Sequence, residues 1–176
     1  MWAASRAAKR SACGRSTRSL GIAPMATLNK IAVASEMFIE AHRRFRAASR
    51  DIDYIASIMM SGSVIGIVGP LLTEQGGHTS HEILARISTY LDCPGSPRTK
   101  EGVFRAVYNG LKHSGDIVGT RAPSDDLLLE ADLAREAAHM LDAAKDDFRQ
   151  IEVTSETRAA LSQEFLQLME SDEGYA

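Results

Sequence analysis

The chain has 176 residues, of which 44% are hydrophobic and 24% are charged, and its net charge is −3. This length favours one domain with a sizeable core. The composition excludes a disordered tail protein, a collagen-like fibre and a strongly basic nucleic-acid coat. The two cysteines, Cys13 and Cys93, are too few for a disulfide scaffold or a four-cysteine zinc site.

The first 24 residues differ in charge from the rest of the chain. They carry five basic side chains and no acidic one, together with four serines. An arginine- and serine-rich start without acidic residues is typical of an organellar transit segment. We favour the plainer interpretation, a disordered basic extension over residues 1–24 that precedes a possible start at Met25. Residues 25–176 are then predicted to form a single helical-bundle domain.

Charge is also uneven within that domain. Residues 25–124 hold eleven basic and nine acidic side chains, whereas residues 125–176 hold four basic and fourteen acidic ones, a net charge of −10. A polyanionic partner is therefore expected on the middle segment, away from the C-terminal helices.

Apolar residues recur at steps of three and four through most of the domain, which predicts helices. The first two are expected over about 28–48 and from about 51 to just before Pro70, because proline breaks a helix. Thr79, with Glu82 three residues later, forms a capping-box pattern that predicts the start of a third helix.

The second half of the domain predicts further helices. One is expected over about 99–113, a long one begins with Ser124 as its N-cap, and Thr154 caps a last amphipathic helix. No alternating strand pattern is present in the sequence. The predicted fold is therefore all-α, a bundle of five or six helices.

Residues 54–73 form an apolar stretch of membrane-spanning length. They are twenty residues without a charge, and Gly62 and Gly66 have the spacing at which membrane helices approach closely. Serine, glycine and proline dilute the stretch, and the neighbouring amphipathic helices need a buried partner. We predict the central helix of a bundle and no membrane association.

The candidate site lies on the predicted helix over about 99–113. At about 100° per residue, Arg105, Asn109, Lys112 and His113 fall within roughly 100° of one another. The opposite side of this helix is apolar and consists of Val103, Phe104, Val107 and Leu111. We define the four polar residues as the polar stripe.

The polar stripe has the chemistry of a phosphate or phosphodiester site. Arginine and lysine neutralise phosphate oxygens, a carboxamide holds a hydrogen bond, and histidine transfers a proton near neutral pH. The predicted catalytic residues are Arg105, Asn109 and His113, and the predicted substrate-binding residues are Lys112 and Tyr108. The alternative is a solvated face whose cations complement the C-terminal end of the helix dipole.

Residues 108–113, Tyr-Asn-Gly-Leu-Lys-His, are followed by Ser-Gly-Asp. Together with the long helix over residues 129–148, they resemble members of the HEPN superfamily of helical nucleotide-binding domains, over roughly residues 28–152. The resemblance implies a bundle that dimerises and places an arginine and a histidine, separated by four to six residues, in a cleft at the dimer axis. Many such proteins are metal-independent ribonucleases of toxin–antitoxin and phage-defence systems, in which the RNA 2′-hydroxyl attacks the adjacent phosphodiester.

Carried over to this chain, the histidine of the motif is His113, with Asn109 as the polar residue near it. Arg105 departs from the pattern, because seven residues separate it from His113. This departure leaves three interpretations open, namely ribonuclease activity, RNA or nucleotide binding alone, and a site that has lost its activity.

The sequence contains two other candidate clusters. His78, His81 and Glu82 could supply metal ligands, but Glu82 already has a capping role, and we predict no metal and no cofactor. Residues 42–46, His-Arg-Arg-Phe-Arg, give the first helix a basic end that could follow a nucleic-acid backbone, or that could simply be solvated.

The expected protein is therefore cytoplasmic and homodimeric, with RNA or a nucleotide as its ligand and a cognate antitoxin or another protein as a partner. The alternative function is that of a non-enzymatic helical interaction module, whose acidic C-terminal helices bind a protein.

Overall fold

The computed structural model describes residues 27–91, 97–113 and 122–175. Among these residues 73% are helical and no strand is present, which confirms the all-α prediction. The predicted extension over residues 1–24 lies outside the described residues, as do both cysteines.

The described ranges contain eight α-helices and one 3-10 turn. The α-helices are α1 (Lys30–Arg46), α2 (Asp51–Glu74), α3 (Ser80–Tyr90), α4 (Pro97–Phe104), α5 (Ala106–Lys112), α6 (Leu133–Gln150), α7 (Ser155–Ala159) and α8 (Gln163–Glu170), and the 3-10 turn is Pro123–Asp125.

The core forms where α1, α2 and α6 pack together, and α8 packs against α1 and α6. Its largest fully buried side chains include Phe38, Ile58, Leu141 and Phe165. The rings of Phe38 and Phe148 both meet Phe165 edge-on, with centroid distances of 6.1 and 4.6 Å. Burial of each of these side chains contributes about 1.5–3 kcal/mol to stability.

Helix starts follow local capping chemistry. Asn29 caps α1 by accepting from the backbone N–H groups of Ile31 and Ala32, at 2.9 and 3.2 Å. Thr79 caps α3 as predicted and accepts from the Glu82 N–H at 3.2 Å. The Glu82 carboxylate does not close the capping box in return, because it binds Arg86 of its own helix and His78, which precedes the helix.

The predicted end of the second helix is wrong. The second helix does not end before Pro70 but continues through it to Glu74. Buried Val68, Gly69 and Leu72 keep this turn packed in the core, while the proline ring lies on the exposed side. Tertiary packing here outweighs the local cost of a missing N–H.

The predicted helix over about 99–113 is not continuous. Arg105 leaves helical geometry, with φ −113° and ψ 14°, and separates α4 from α5. The break allows Tyr108, 6% exposed, to insert against α2.

The C-terminal half also differs in its boundaries. Ser124 lies in the 3-10 turn, and α6 begins only after Asp132, whose side chain accepts from the Arg135 N–H at 3.1 Å. The last predicted helix is divided, since Thr154 caps α7 and Ser162 caps α8. The structure therefore contains the six predicted helical segments, two of them interrupted.

Helix α2 is the one helix among the described residues that is long and apolar enough to cross a membrane. Length and composition alone do not distinguish a membrane-spanning helix from the buried core helix of a soluble protein. Half of the apolar stretch of α2 is buried inside the bundle, where the helix packs against α1 and α6.

Candidate functional site

Arg105 occupies the break between α4 and α5, and it is half-buried. Its Nε is buried and has no hydrogen-bond partner among the described residues. Its guanidinium carbon lies 5.3 Å from the centroid of the Tyr108 ring. The arginine is thus held against an aromatic face, a position that leaves donors unused.

Tyr108 is the residue around which the cations collect. Its ring packs so closely on Gly62 of α2 that a Cβ at position 62 would lie 2.3 Å from it. Lys112 Nζ lies 5.6 Å from the centroid of the same ring. A ring with two cations within about 6 Å has favourable cation–π geometry. We call Arg105, Tyr108 and Lys112 the cation–tyrosine cluster.

His113 does not join this cluster. It is the exposed C-cap of α5, and its backbone N–H donates to the Asn109 carbonyl at 3.0 Å. Arg105 precedes the seven-residue α5 and His113 follows it. At about 1.5 Å rise per residue, their Cα atoms are roughly 12 Å apart. The structure therefore unites Arg105, Tyr108 and Lys112 and leaves His113 at the other end of α5, with half-buried Asn109 in between.

The predicted apolar side is only partly correct. Val107 and Leu111 pack against the core, but Val103 is 67% exposed. The ring of Phe104 lies 6.4 Å from that of His139 on α6. His139 also belongs to a polar cluster between α3 and α6 that the sequence did not predict.

His81 of α3 and His139 of α6 form a direct contact. Their Nε2 atoms are 3.2 Å apart and their ring centroids 5.1 Å apart. His81 is 0% exposed, and its Nδ1 has no hydrogen-bond partner among the described residues. Burial lowers the pKa of His81 from 6.5 to about 3, with smaller contributions from His139 and the Arg105 charge.

The contact constrains the protons of both rings. A hydrogen bond between two Nε2 atoms needs one N–H donor and one bare acceptor. If His81 accepted at Nε2, its neutral ring would carry an N–H at the unpartnered Nδ1, and a buried unpaired donor is costly. We therefore assign His81 as the donor and His139 as the acceptor. His139 is half-buried.

A second polar contact joins the same two helices. Asp147 of α6 accepts from the backbone N–H and the hydroxyl of Ser80, at 2.6 and 2.9 Å. Burial raises the pKa of the Asp147 carboxyl, and the two Ser80 bonds oppose that shift. The carboxylate thereby satisfies an N–H of the first turn of α3.

A groove of about 470 Å³ lies beside these contacts, between α3 and α6. Ile83, Leu84 and Ala143 give it an apolar lining, and His139 forms part of its wall. His139 was missed because a single histidine in an acidic helix carries no motif. The available signal was its spacing, since His139, Ala143 and Asp147 follow one another at steps of four on one face of α6.

The candidate metal ligands His78, His81 and Glu82 do not come together around one point. His78 Nδ1 lies 3.1 Å from Glu82 Oε2, whereas His81 is directed towards His139. Within the described ranges no group of three or more His, Cys, Asp or Glu side chains could hold a metal ion.

The three arginines at the basic end of α1 are each paired with a carboxylate. Arg43 binds Glu164 at 2.6 Å and Arg44 binds Glu40 at 2.8 Å. Arg46 lies 3.5 Å from Glu173. These pairs neutralise the charge that a nucleic-acid backbone would need.

Comparisons with known proteins add no relative. No protein-family model, curated protein or solved structure matches this chain.

Proposed function

We propose that this chain is a cytoplasmic, HEPN-like helical protein that binds RNA or a nucleotide through the cation–tyrosine cluster. One observation carries the proposal: Arg105 and Lys112 flank the Tyr108 ring, and neither has a carboxylate within 4.0 Å among the described residues. Unpaired cations beside an aromatic face suit phosphate oxygens.

Binding is proposed ahead of cleavage. A ribonuclease site of the implied kind needs its arginine and histidine on one phosphodiester, and Arg105 and His113 lie at opposite ends of α5. If cleavage occurs, His113 is the proton-transfer residue, and His113→Ala abolishes cleavage while sparing the fold because its side chain is exposed.

The binding proposal is tested by fluorescence anisotropy with a labelled single-stranded RNA, titrated at several salt concentrations. We expect Lys112→Ala to weaken binding to all sequences and to reduce the slope of log affinity against log salt by about one. Lys112 is exposed, so the fold is unaffected.

The matched control is Arg158→Ala, which removes an exposed cation from the acidic C-terminal region. We expect it to leave RNA binding unchanged. The proposal fails if the wild-type protein binds neither RNA nor nucleotides at low salt, or if the Lys112 and Arg158 variants weaken binding equally.

A second function, a helical interaction module, is favoured by the surface of α3. Ile83, Leu84, Ile87 and Tyr90 are 39, 36, 51 and 89% exposed, and at helical spacing they cover one third of the helix circumference. We define these four residues as the α3 apolar face. Exposed contiguous apolar surface of this kind marks interaction sites.

We assign a second copy of this chain as the occupant of the α3 apolar face. Two copies of a net-acidic protein repel each other, so self-association is favoured at a surface that is neutral. The two charges of α3, Glu82 and Arg86, pair with each other at 2.7 Å. The adjoining groove carries one acid and one base, Asp146 and Arg149, so the surface around the α3 apolar face has no net charge. A cognate antitoxin is the alternative occupant.

Analytical ultracentrifugation tests this assignment. We expect a dimer for the wild type and a monomer for Ile87→Asp. Ile52→Asp is the matched control, since Ile52 is equally exposed at 53% but lies on α2, and this variant should remain dimeric. A monomeric wild type, or dissociation by both variants, contradicts the proposal.

A further inference from the structure

Helix α3 packs mainly on α4 and touches α6 in fewer places. Only His81 and Ala85 are buried among its eleven residues. Two polar contacts tie it to α6: the Ser80–Asp147 hydrogen bonds and the His81–His139 pair. An element with few buried apolar contacts is among the first to open locally.

We propose that α3 is an acid-released element, which detaches from α6 as the pH falls because the opened state exposes His81 to water and allows it to take up a proton. The inference goes beyond either proposed function and does not depend on the ligand. Detachment removes one wall of the groove that His139 lines.

Burial of His81 is the main reason that the closed state resists protonation, and the pair with His139 adds to this resistance. With Nε2 atoms 3.2 Å apart, both rings cannot carry a hydrogen on Nε2, so the pair holds at most one proton more than its neutral form. The positive charge of Arg105 also acts on His81, which makes a charged ring there still less favourable.

The direction of the pH effect follows from the pKa of His81. It is about 3 in the closed state and returns to about 6.5 once the ring is in water. The closed state therefore binds fewer protons between these values, and acid favours opening. Neutral His81 stabilises the closed state fully above about pH 6.5, and this stabilisation is lost as the pH falls towards 3. Over that range the equilibrium constant for opening rises by up to about tenfold per pH unit.

The other charged groups near His81 at the junction with α6 are Arg105 and the buried Asp147, and the His81→Leu variant separates their effects from that of the histidine. Burial raises the pKa of the Asp147 carboxyl, so acid favours the closed state at that group, which is opposite in direction to its effect at His81. The guanidinium charge of Arg105 acts on both His81 and Asp147. His78 precedes α3 by two residues and contacts Glu82 of that helix at 3.1 Å, so this pair does not span the junction between α3 and α6.

Hydrogen–deuterium exchange of the full chain at several pH values, corrected for intrinsic exchange rates, tests the proposal. Between about pH 6.5 and 5 we expect the protection of α3 amides to fall by up to tenfold per unit. Amides in α2 should keep their protection. Unchanged α3 protection, or an equal loss in α2, overturns the proposal.

Three variants identify the titrating group. His81→Leu should abolish the pH dependence in α3, and His113→Gln, at an exposed position, should retain it. His139→Gln leaves His81 buried and should also retain the dependence, so it serves if His81→Leu does not fold. Persistence of the dependence in His81→Leu, or its loss in His139→Gln, overturns the assignment to His81.

Discussion

At the scale of single residues, Gly62 and Tyr108 determine how α5 meets α2. The absence of a side chain at position 62 is what gives the Tyr108 ring its place against the helix. The cations Arg105 and Lys112 take their positions from that ring. A glycine in α2 is therefore a condition for the candidate binding surface.

Gly62→Ala should destabilise the protein by about 1–3 kcal/mol, because the new methyl group overlaps a buried ring and overpacking carries a cost of this size. Urea denaturation measures the effect. Gly66→Ala is the matched control one turn later, with nothing within 4 Å of a Cβ there, and helix propensity alone should stabilise it by about 0.5–1 kcal/mol. Equal effects of the two substitutions would contradict the packing argument.

Single residues also show the limit of sequence reasoning. The capping oxygen of Thr79 acts within one turn, and its role was predictable. His81 and His139 are separated by 58 positions, and no local pattern pairs them. The break at Arg105 was equally hidden, because it depends on Tyr108 meeting a glycine of another helix.

At the scale of secondary-structure elements, α2 shows packing outweighing propensity. Six helical segments followed from apolar periodicity, since that periodicity reflects burial on one side. The end of α2 did not, because Pro70 is a local signal and the burial of Val68 and Leu72 is a property of the bundle. Helix boundaries that depend on neighbouring elements were the wrong ones.

Pro70→Ala should therefore stabilise the protein. A proline inside a helix costs about 3 kcal/mol, and its replacement favours the unfolded chain entropically by up to about 1 kcal/mol, which leaves a net gain of roughly 2–3 kcal/mol. Alanine also supplies the missing backbone N–H of this turn. Thermal unfolding followed by circular dichroism checks the prediction, and a lower melting temperature would contradict it.

At the scale of the whole molecule, charge separates regions with different roles. The residues from 125 onwards carry a net charge of −10, and the cation–tyrosine cluster lies in the nearly balanced middle segment. The sequence predicted this division because charge counts need no structure. It could not predict that acidic residues of the C-terminal region neutralise the basic end of α1.

Deletion of residues 1–24 should leave the melting temperature unchanged within error. These residues carry five like charges and no amphipathic stripe, so they have little means of joining a core. Calorimetry of the full and shortened chains is the measurement. A large decrease in melting temperature would show that the segment belongs to the folded domain.

The bond from Asp147 to Ser80 also bears on the order of folding. It spans 67 positions, so the first turn of α3 lacks its acceptor until α6 has formed and docked. The adjacent α1 and α2 need only a short loop to meet. We expect α3 to assemble after the transition state, so that Ala85→Gly accelerates unfolding and leaves the folding rate nearly unchanged. Stopped-flow kinetics would contradict this order if the substitution slowed folding instead.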